Sequence, residues 1–471
     1  MPARAVSSRT AHLLDAEPGL RDPSATGPQV HARRASLLDG ALVAIIGAGY
    51  EGKRPMYEHA HSLGVRLVVV DVAGSWAERL VDDGLAVAFV PVGEELLERG
   101  TDLDPLLEGL GPRGHFADAV VTFYEDFVVT AALVAERLGL PGSPVDAVRA
   151  ARSKQLTRER LATAGLPMPR YARVERIDDL AAAAEAVGFP AVLKPEFGAA
   201  AVGCIRVDGP DELDAAWAAA TSTVDPEFDA IFWQGSAMLL EQYLDGPEFD
   251  IEVLLSDGRP VYSAVSDGWP TQEPSFLETG LNIPTLQPPD VVAALEECAV
   301  ASALALGLTT GDVHVEARWT SEGARLLEVN ARIGGRRIFE FHRLVHGVDV
   351  LECHLLASMG VPIDPPRAAA PLAGIAEQLL QAPRSGVLVS TAALESLAAA
   401  DVGVHVTAHA GSLVDGPEQP YPTVVAEVRV QADSVEAALE RLADIVASVE
   451  IDIADVTGAD LRDREEDLAD A

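Results

Sequence analysis

The residues of this 471-residue chain best suited to chemistry lie between Gly311 and Arg332. Gly311-Asp312-Val313-His314-Val315-Glu316-Ala317-Arg318 and Leu326-Leu327-Glu328-Val329-Asn330-Ala331-Arg332 alternate as half-buried strands do, with Trp319 to Arg325 joining them. A loop centred on Glu322 sets Glu316 opposite Glu328. It also puts Asp312, His314, Glu316 and Arg318 on one face with Glu328, Asn330 and Arg332. Opposed residues have Cβ atoms roughly 5 Å apart, so two carboxylates there repel unless a cation lies between them. Two carboxylates and an amide oxygen suit Mg²⁺ carrying substrate phosphates.

A second group of residues suits phosphate. Lys194 ends the apolar strand Ala191 to Pro195 and points at the small-residue loop Gly198-Ala199-Ala200-Ala201-Val202-Gly203. Small residues let backbone N–H groups approach phosphate oxygens, and a lysine adds a mobile point charge. A flexible turn beside a surface lysine would look the same. Lys154, on the predicted helix Ser153 to Ala164, is a weaker signal still.

Around these residues the chain reads as α/β and α+β, in several domains. At roughly 100–200 residues per domain, the length calls for about three or four. Residues 1–37 lack an apolar segment of signal-peptide type and read as a disordered extension. Strands and helices alternate over 38–145, the pattern of a Rossmann-like parallel sheet. An α+β stretch over 146–365 carries both chemical groups, with 165–235 as its lid. Pro362 to Pro371 looks like a linker; a small α+β domain over 366–455 follows, then a charged tail over 456–471.

Composition narrows the partners. A formal charge of −38 argues against binding nucleic acid or an anionic membrane surface, so any polyanion must meet a local basic pocket. No apolar run has the roughly 18 residues that span a bilayer. Three separated cysteines, Cys204, Cys298 and Cys353, form neither a disulfide framework nor a metal knuckle, and a reducing cytoplasm fits them. His342 and His346 have the spacing of a metal pair, but their segment reads as a packing helix. Phe228, Phe232 and Trp233 read as core.

Gly47-x-Gly49-x-x-Gly52, with Asp71 ending the next strand, is the formal dinucleotide fingerprint. Alone it points to an NAD-binding oxidoreductase. The same turn also arises where a helix must pack tightly on a strand.

The order of parts is more specific than any one of them. Lys154, Lys194, the small-residue loop, Leu240-Glu241-Gln242-Tyr243-Leu244 with Glu248, Glu316, then Glu328-x-Asn330-x-Arg332 resembles the ATP-grasp superfamily. The resemblance covers about 145–365, and 38–145 is similar to the Rossmann-like domain that precedes the grasp. It implies ATP with Mg²⁺ or Mn²⁺. Lys154 and Lys194 would contact phosphates or the adenine edge, under a loop closing from Gly198, Ala199 and Ala200 to Gly203. Gln242 and Leu244 would read adenine through the backbone with Glu241 beside them, and Glu248 would take the ribose hydroxyls. Glu316, Glu328 and Asn330 would hold the metal, and Arg332 would face the transferring phosphoryl group.

Within the superfamily, Thr271 to Gly280 and Ala331-Arg332-Ile333-Gly334-Gly335 resemble amino-acid ligases of the dipeptide-ligase and carnosine-synthase type. So does the C-terminal region with Glu377, Gly386-Val387-Leu388 and Tyr421-Pro422. The likeness implies an ATP-dependent carboxylate–amine ligase that forms an amide through an acyl phosphate, with Glu278 near a substrate ammonium. Small-molecule carboxylate and amine substrates and a homodimer follow as expectations. The chain departs from that group in Leu281-Asn282-Ile283, where a histidine is common, and in Ala199, Ala200 and Ala201, where Gly and Ser are. Another ATP-grasp enzyme, biotin-carboxylase-like or purine-biosynthetic, is the alternative.

Overall fold

The computed structural model describes residues 6–110, 117–224, 235–419 and 421–456. Phe228, Phe232, Trp233 and nearly all of the charged tail lie outside them.

The first domain is a parallel sheet of β1 (Leu42–Ile46), β2 (Arg66–Val72), β3 (Ala86–Val92) and β4 (Ala119–Val121), in the order β3-β2-β1-β4. β1 is buried at every residue, as a central parallel strand covered on both faces must be. The extension expected to be disordered is instead built onto this domain. Helices α1 (Ser8–Ala16) and α2 (Pro28–Ala35), with the short turn after each, bury Leu14, Leu20, Leu37 and Leu38 in one cluster with Leu351, Leu355 and Leu356. Arg34 is 1% exposed, and its guanidinium is spent on the carbonyls of Leu20 (3.1 Å) and Asp22 (2.7 Å). The leucines supply the apolar face, but their partner lies far along the chain.

The lid is a sheet of β5 (Tyr171–Val174), β6 (Ala191–Pro195), β7 (Ile205–Val207) and β8 (Met238–Gln242), ordered β5-β8-β6-β7. Helices Leu180–Val187 and Leu213–Thr221 cover it. Its last strand runs past residue 235 and carries Glu241 to the mouth of the grasp.

The grasp sheet has eight strands. β9 (Glu248–Ser256), β10 (Arg259–Gly268), β11 (Gly280–Ile283), β12 (Gly311–Thr320), β13 (Gly323–Asn330) and β14 (Gly374–Gln381) belong to it. After β14 the chain forms β15 (Gly386–Leu388), β16 (Val402–Val406), β17 (Leu413–Val414), β18 (Val424–Ala432) and β19 (Ile453–Ala454). The order β13-β12-β9-β10-β11-β14-β18-β16 corrects the expected separate C-terminal domain, because β14, β18 and β16 extend the grasp sheet through the β11–β14 pair. Only β17-β15-β19 stand apart as a small sheet.

Glu316 pairs with Glu328, as the alternation required. The loop between them is shorter than expected, because Thr320 pairs with Gly323 and only Ser321 and Glu322 turn the chain. That tighter turn alone would set Glu316 against Leu327. A register shift after Glu316 leaves Leu327 as an extra residue and restores the carboxylate pair.

Candidate active site

Helix Lys154–Ala164, strand β6, strand β8, the hairpin β12–β13 and the segment before β11 converge on one cleft. Lys154, Lys194, Gly198, Ala199, Ala200, Glu241, Gln242, Leu244, Glu248, Glu278, Glu316, Glu328, Asn330 and Arg332 all line it. Gly203 does not: its N–H donates to the Tyr421 hydroxyl (3.0 Å), so it is withdrawn from the donors expected over phosphate. Ala200 (φ 52°) and Ala201 (φ 58°) hold the loop in left-handed backbone, a conformation that glycine adopts at less cost.

The two lysines are paired with acids of the same cleft. Lys154 Nζ lies 3.2 Å from Glu328 Oε2, and Lys194 Nζ 2.6 Å from Glu241 Oε2. Ser153 caps the lysine helix, accepting from Leu156 N (3.1 Å) while donating to Glu196 (2.6 Å). One turn after Lys154, Arg158 is fully buried and grips Glu241 through Nε (2.9 Å) and Nη2 (3.1 Å). Burial pushes the Glu241 carboxyl up, but Arg158 and Lys194 outweigh it and hold the group at about 2. Burial likewise opposes ionisation of Glu328, and Lys154 and Lys194 keep it below the ordinary carboxylate range.

Along the facing strands β9 and β12 carboxylates outnumber cations. Pairing of β9 with β12 sets Glu248 against Arg318, Asp250 against Glu316 and Glu252 against His314. Burial and Glu316 push Glu248 up to about 8, even though Arg318 reaches it at 3.1 and 3.2 Å. Burial carries Asp250 to about 7 against the pull of His314. His314 gives Nδ1 to Glu252 (2.5 Å) and turns Nε2 to Asp250 and Glu316, each at 3.7 Å. Asp250, His314 and Glu316 present ligand atoms within 4.8 Å of one another. A cluster of this kind suits a divalent cation. Glu316, Glu328 and Asn330 offer the oxygen donors for it, and the Asn330 amide, turned to donate to Glu328 Oε1 (3.3 Å) and Glu125 Oε2 (3.1 Å), keeps its carbonyl oxygen as an acceptor.

Several roles read from the sequence meet competition. Glu248, expected on ribose, is tied to Arg318. The Gln242 N–H is taken by the Arg170 carbonyl (2.8 Å), and the Leu244 carbonyl by Arg318 (2.8 Å). At Leu244 it is the N–H that would meet a purine edge. Glu278 is half-exposed and pairs with Arg336 (2.7 Å), which also reaches the buried Glu377 (3.2 Å). Arg332 donates Nε to Glu125 (2.9 Å), a buried acid raised by burial against the pull of Arg332 and Arg152.

Glu125, Arg158, Arg336 and Asp250 escaped the sequence reading. Asp250 was legible, since Glu248, Asp250 and Glu252 alternate along β9. The other three act through contacts between distant segments, which local pattern does not carry. Among the described residues His342 and His346 belong to no cluster of three potential metal ligands; His342 Nδ1 meets the Tyr262 hydroxyl (2.7 Å) inside the core.

Comparison with known proteins agrees with this architecture. Residues 187–340 match the ATP-grasp domain and 57–142 the ATP-grasp N-terminal domain, so the chain belongs to the ATP-grasp proteins. Carnosine synthase 1 of Gallus gallus is 35% identical over 384 residues, 78% of this chain and 41% of that protein. Alanine–anticapsin ligase of Bacillus subtilis is 28% identical over 261 residues, 51% of this chain and 53% of its own. The chain thus spans about half the length of these curated relatives. An L-amino acid ligase from Bacillus licheniformis shares the fold, with a TM-score of 0.73 over 88% of this chain and 100% of that one at 21% identity. No helix of the described residues is long and apolar enough to cross a membrane.

Proposed function

We propose that the cleft belongs to an ATP-dependent carboxylate–amine ligase that joins amino acids, or an amino acid and another carboxylate. The observation that carries this reading is the Glu316–Glu328 register, which sets a cation-seeking pair beside two lysines in one cleft. The names of the relatives support amino acids as substrates.

In this reading a substrate carboxylate attacks the γ-phosphate of ATP, forming an acyl phosphate and ADP. An amine then attacks the acyl carbon, and phosphate leaves as the amide forms. Phosphoryl transfer asks the protein for alignment and charge neutralisation rather than covalent help. Lys154 and Lys194 exchange their carboxylate partners for phosphate oxygens. Glu316, Glu328 and Asn330 hold Mg²⁺ or Mn²⁺, which when bound offsets the charge of the phosphates. Arg332, fixed by Glu125, stands where the acyl phosphate forms. Glu278, beside Arg336, faces a substrate ammonium. The mixed anhydride hydrolyses readily, so the loop Gly198 to Gly203 must close before transfer.

Incubating the protein with ATP, Mg²⁺ and pools of amino acids and other carboxylates tests the reading. Phosphate release together with a new amide mass is the expected result; no phosphate with any pool contradicts it.

A further inference from the structure

The segment between β10 and β11 serves two parts of the cleft at once. Phe276 and Glu278, two residues apart on it, both line the cleft. Glu278 meets the amine in the ligase reading. Phe276 packs with the nucleotide side instead: its ring centroid is 6.3 Å from that of Tyr243, and the Arg318 guanidinium lies 5.6 Å from the Tyr243 ring and 5.8 Å from the Phe276 ring. Arg318 in turn holds Glu248 and the Leu244 carbonyl. A shift of this segment moves both side chains.

Regular structure does little to hold it. Gln272 and Leu277 form an isolated bridge, and Phe276 takes a left-handed backbone (φ 56°), which is costly for an aromatic residue. Such strain persists only where the surroundings enforce it. On one side the grasp sheet does so, as Gln381 donates to the Gln272 side chain (3.0 Å) and the Leu379 N–H to the Thr279 carbonyl (2.9 Å). On the other side the lid does.

β7 ends the lid sheet, with β6 along one edge. From its other edge the Arg206 N–H donates to the Pro274 carbonyl (3.2 Å). The Arg206 guanidinium pairs with Glu273 and with Asp208 (2.8 Å), and lies 4.3 Å from the centre of the Tyr243 ring. The Tyr243 hydroxyl donates to the second oxygen of Glu273 (2.7 Å). Lid, nucleotide wall and substrate segment therefore meet at one carboxylate. The Arg206 and Glu273 side chains are 29% and 31% exposed, and an ion pair so close to water is weak by itself. A fastening of that strength can part each time the lid opens, which a buried pair could not.

We propose that Arg206 and Glu273 are positioning residues that couple closure of the lid over nucleotide to the placement of Glu278. The proposal rests on the ligase reading for what Glu278 meets, and deepens it by naming what prepares that site. By linkage, nucleotide tightens the amine site and the amine tightens the nucleotide site by the same factor, about 5- to 150-fold for typical coupled sites.

Backbone hydrogen exchange tests this without turnover, in wild type, Arg206→Gln and Arg206→Lys, with and without Mg²⁺ and the β,γ-imido analogue of ATP. In wild type the analogue should slow exchange in residues 271–280 as well as in the loop 198–203. Arg206→Gln should keep the protection of 198–203, which also shows that it is folded and binds nucleotide, and lose that of 271–280. Arg206→Lys, which keeps a charge for Glu273, should retain part of it. Protection of 271–280 that survives in Arg206→Gln, or is absent from wild type, overturns the proposal. Loss at both segments overturns it too, because Arg206 would then serve nucleotide binding itself.

In amide formation from amino-acid pools, Arg206→Gln and Glu273→Gln should each raise KM for the amine about tenfold, with KM for ATP within about threefold of wild type. The double variant should be no worse than either single one, as for two residues of one contact. Equal rises in both KM values, or additive losses, contradict the coupling. Phosphate release that fails with every pool in wild type, while the analogue still protects 271–280 through Arg206, removes the ligase reading alone.

Discussion

Lys154 Nζ and Glu328 Oε2 lie 3.2 Å apart, so a lysine suited to phosphate and a carboxylate suited to a cation neutralise each other across the cleft. Each becomes available as the other's ligand arrives. In the proposed ligase the phosphate and cation sites would therefore be coupled electrostatically, beyond being neighbours.

Removing the charge of Glu328 separates the two halves of that relationship. Glu328→Gln keeps the shape, leaves Lys154 without its partner and removes one metal oxygen. Phosphate release should fall by roughly a hundredfold or more, with the thermal midpoint little changed. Wild-type turnover in a Mg²⁺ titration would refute the metal assignment.

Glu241 is the structural counterpart of Glu328. It is 3% exposed and balances both Arg158, which is fully buried, and Lys194. Glu241→Gln strands those cations and should cost about 3–5 kcal/mol in urea unfolding. Its carboxyl is held at about 2 in the fold, below the unfolded value, so its stabilisation is complete above roughly pH 4.5 and is lost as pH falls toward 2. A loss under 1 kcal/mol would show that the network relaxes without it.

The Tyr421 hydroxyl accepts the Gly203 N–H at 3.0 Å and ties the lid loop to the C-terminal strands. Tyr421→Phe should cost only about 1 kcal/mol of stability. Its larger effect should be leakage, with more ADP formed per amide because the acyl phosphate meets water. An unchanged ratio of ADP to amide would remove the loop from water exclusion.

Burial, and then His342 beside it, hold His346 down to about 3. The unfolded side chain titrates near pH 6.5, so below that pH the unfolded state takes up a proton that the folded state refuses. The stability is present above about pH 6.5 and is lost as pH falls toward 3. Glu377, raised to about 7 chiefly by burial, works in the opposite direction, so a difference between variants isolates the histidine. His346→Leu should gain on wild type between pH 7 and pH 5, by up to about 1.4 kcal/mol per pH unit. A constant difference across that range would contradict the assignment.

How legible the site was depended on where its parts lie. The carboxylate pair follows from strand alternation, because period two fixes the face even where a turn is misjudged. The register itself came out through two compensating departures, a loop of two residues and an extra residue at Leu327. The fold of this N-terminal segment was hidden because Leu14, Leu20, Leu37 and Leu38 share a cluster with Leu351, Leu355 and Leu356, far along the chain. The Arg332–Glu125 contact (2.9 Å) was hidden for the same reason, joining the two domains at the site. The glycine fingerprint was legible and misleading, since its space is taken by Tyr124 and Phe127.

The central claim is that a carboxylate oxygen passes through an acyl phosphate. Supplying the carboxylate substrate with ¹⁸O in both oxygens, together with the amine, ATP and Mg²⁺, tests it directly by mass spectrometry of the released phosphate. One ¹⁸O per phosphate is the predicted result. Phosphate without ¹⁸O, released in step with amide, would contradict the account.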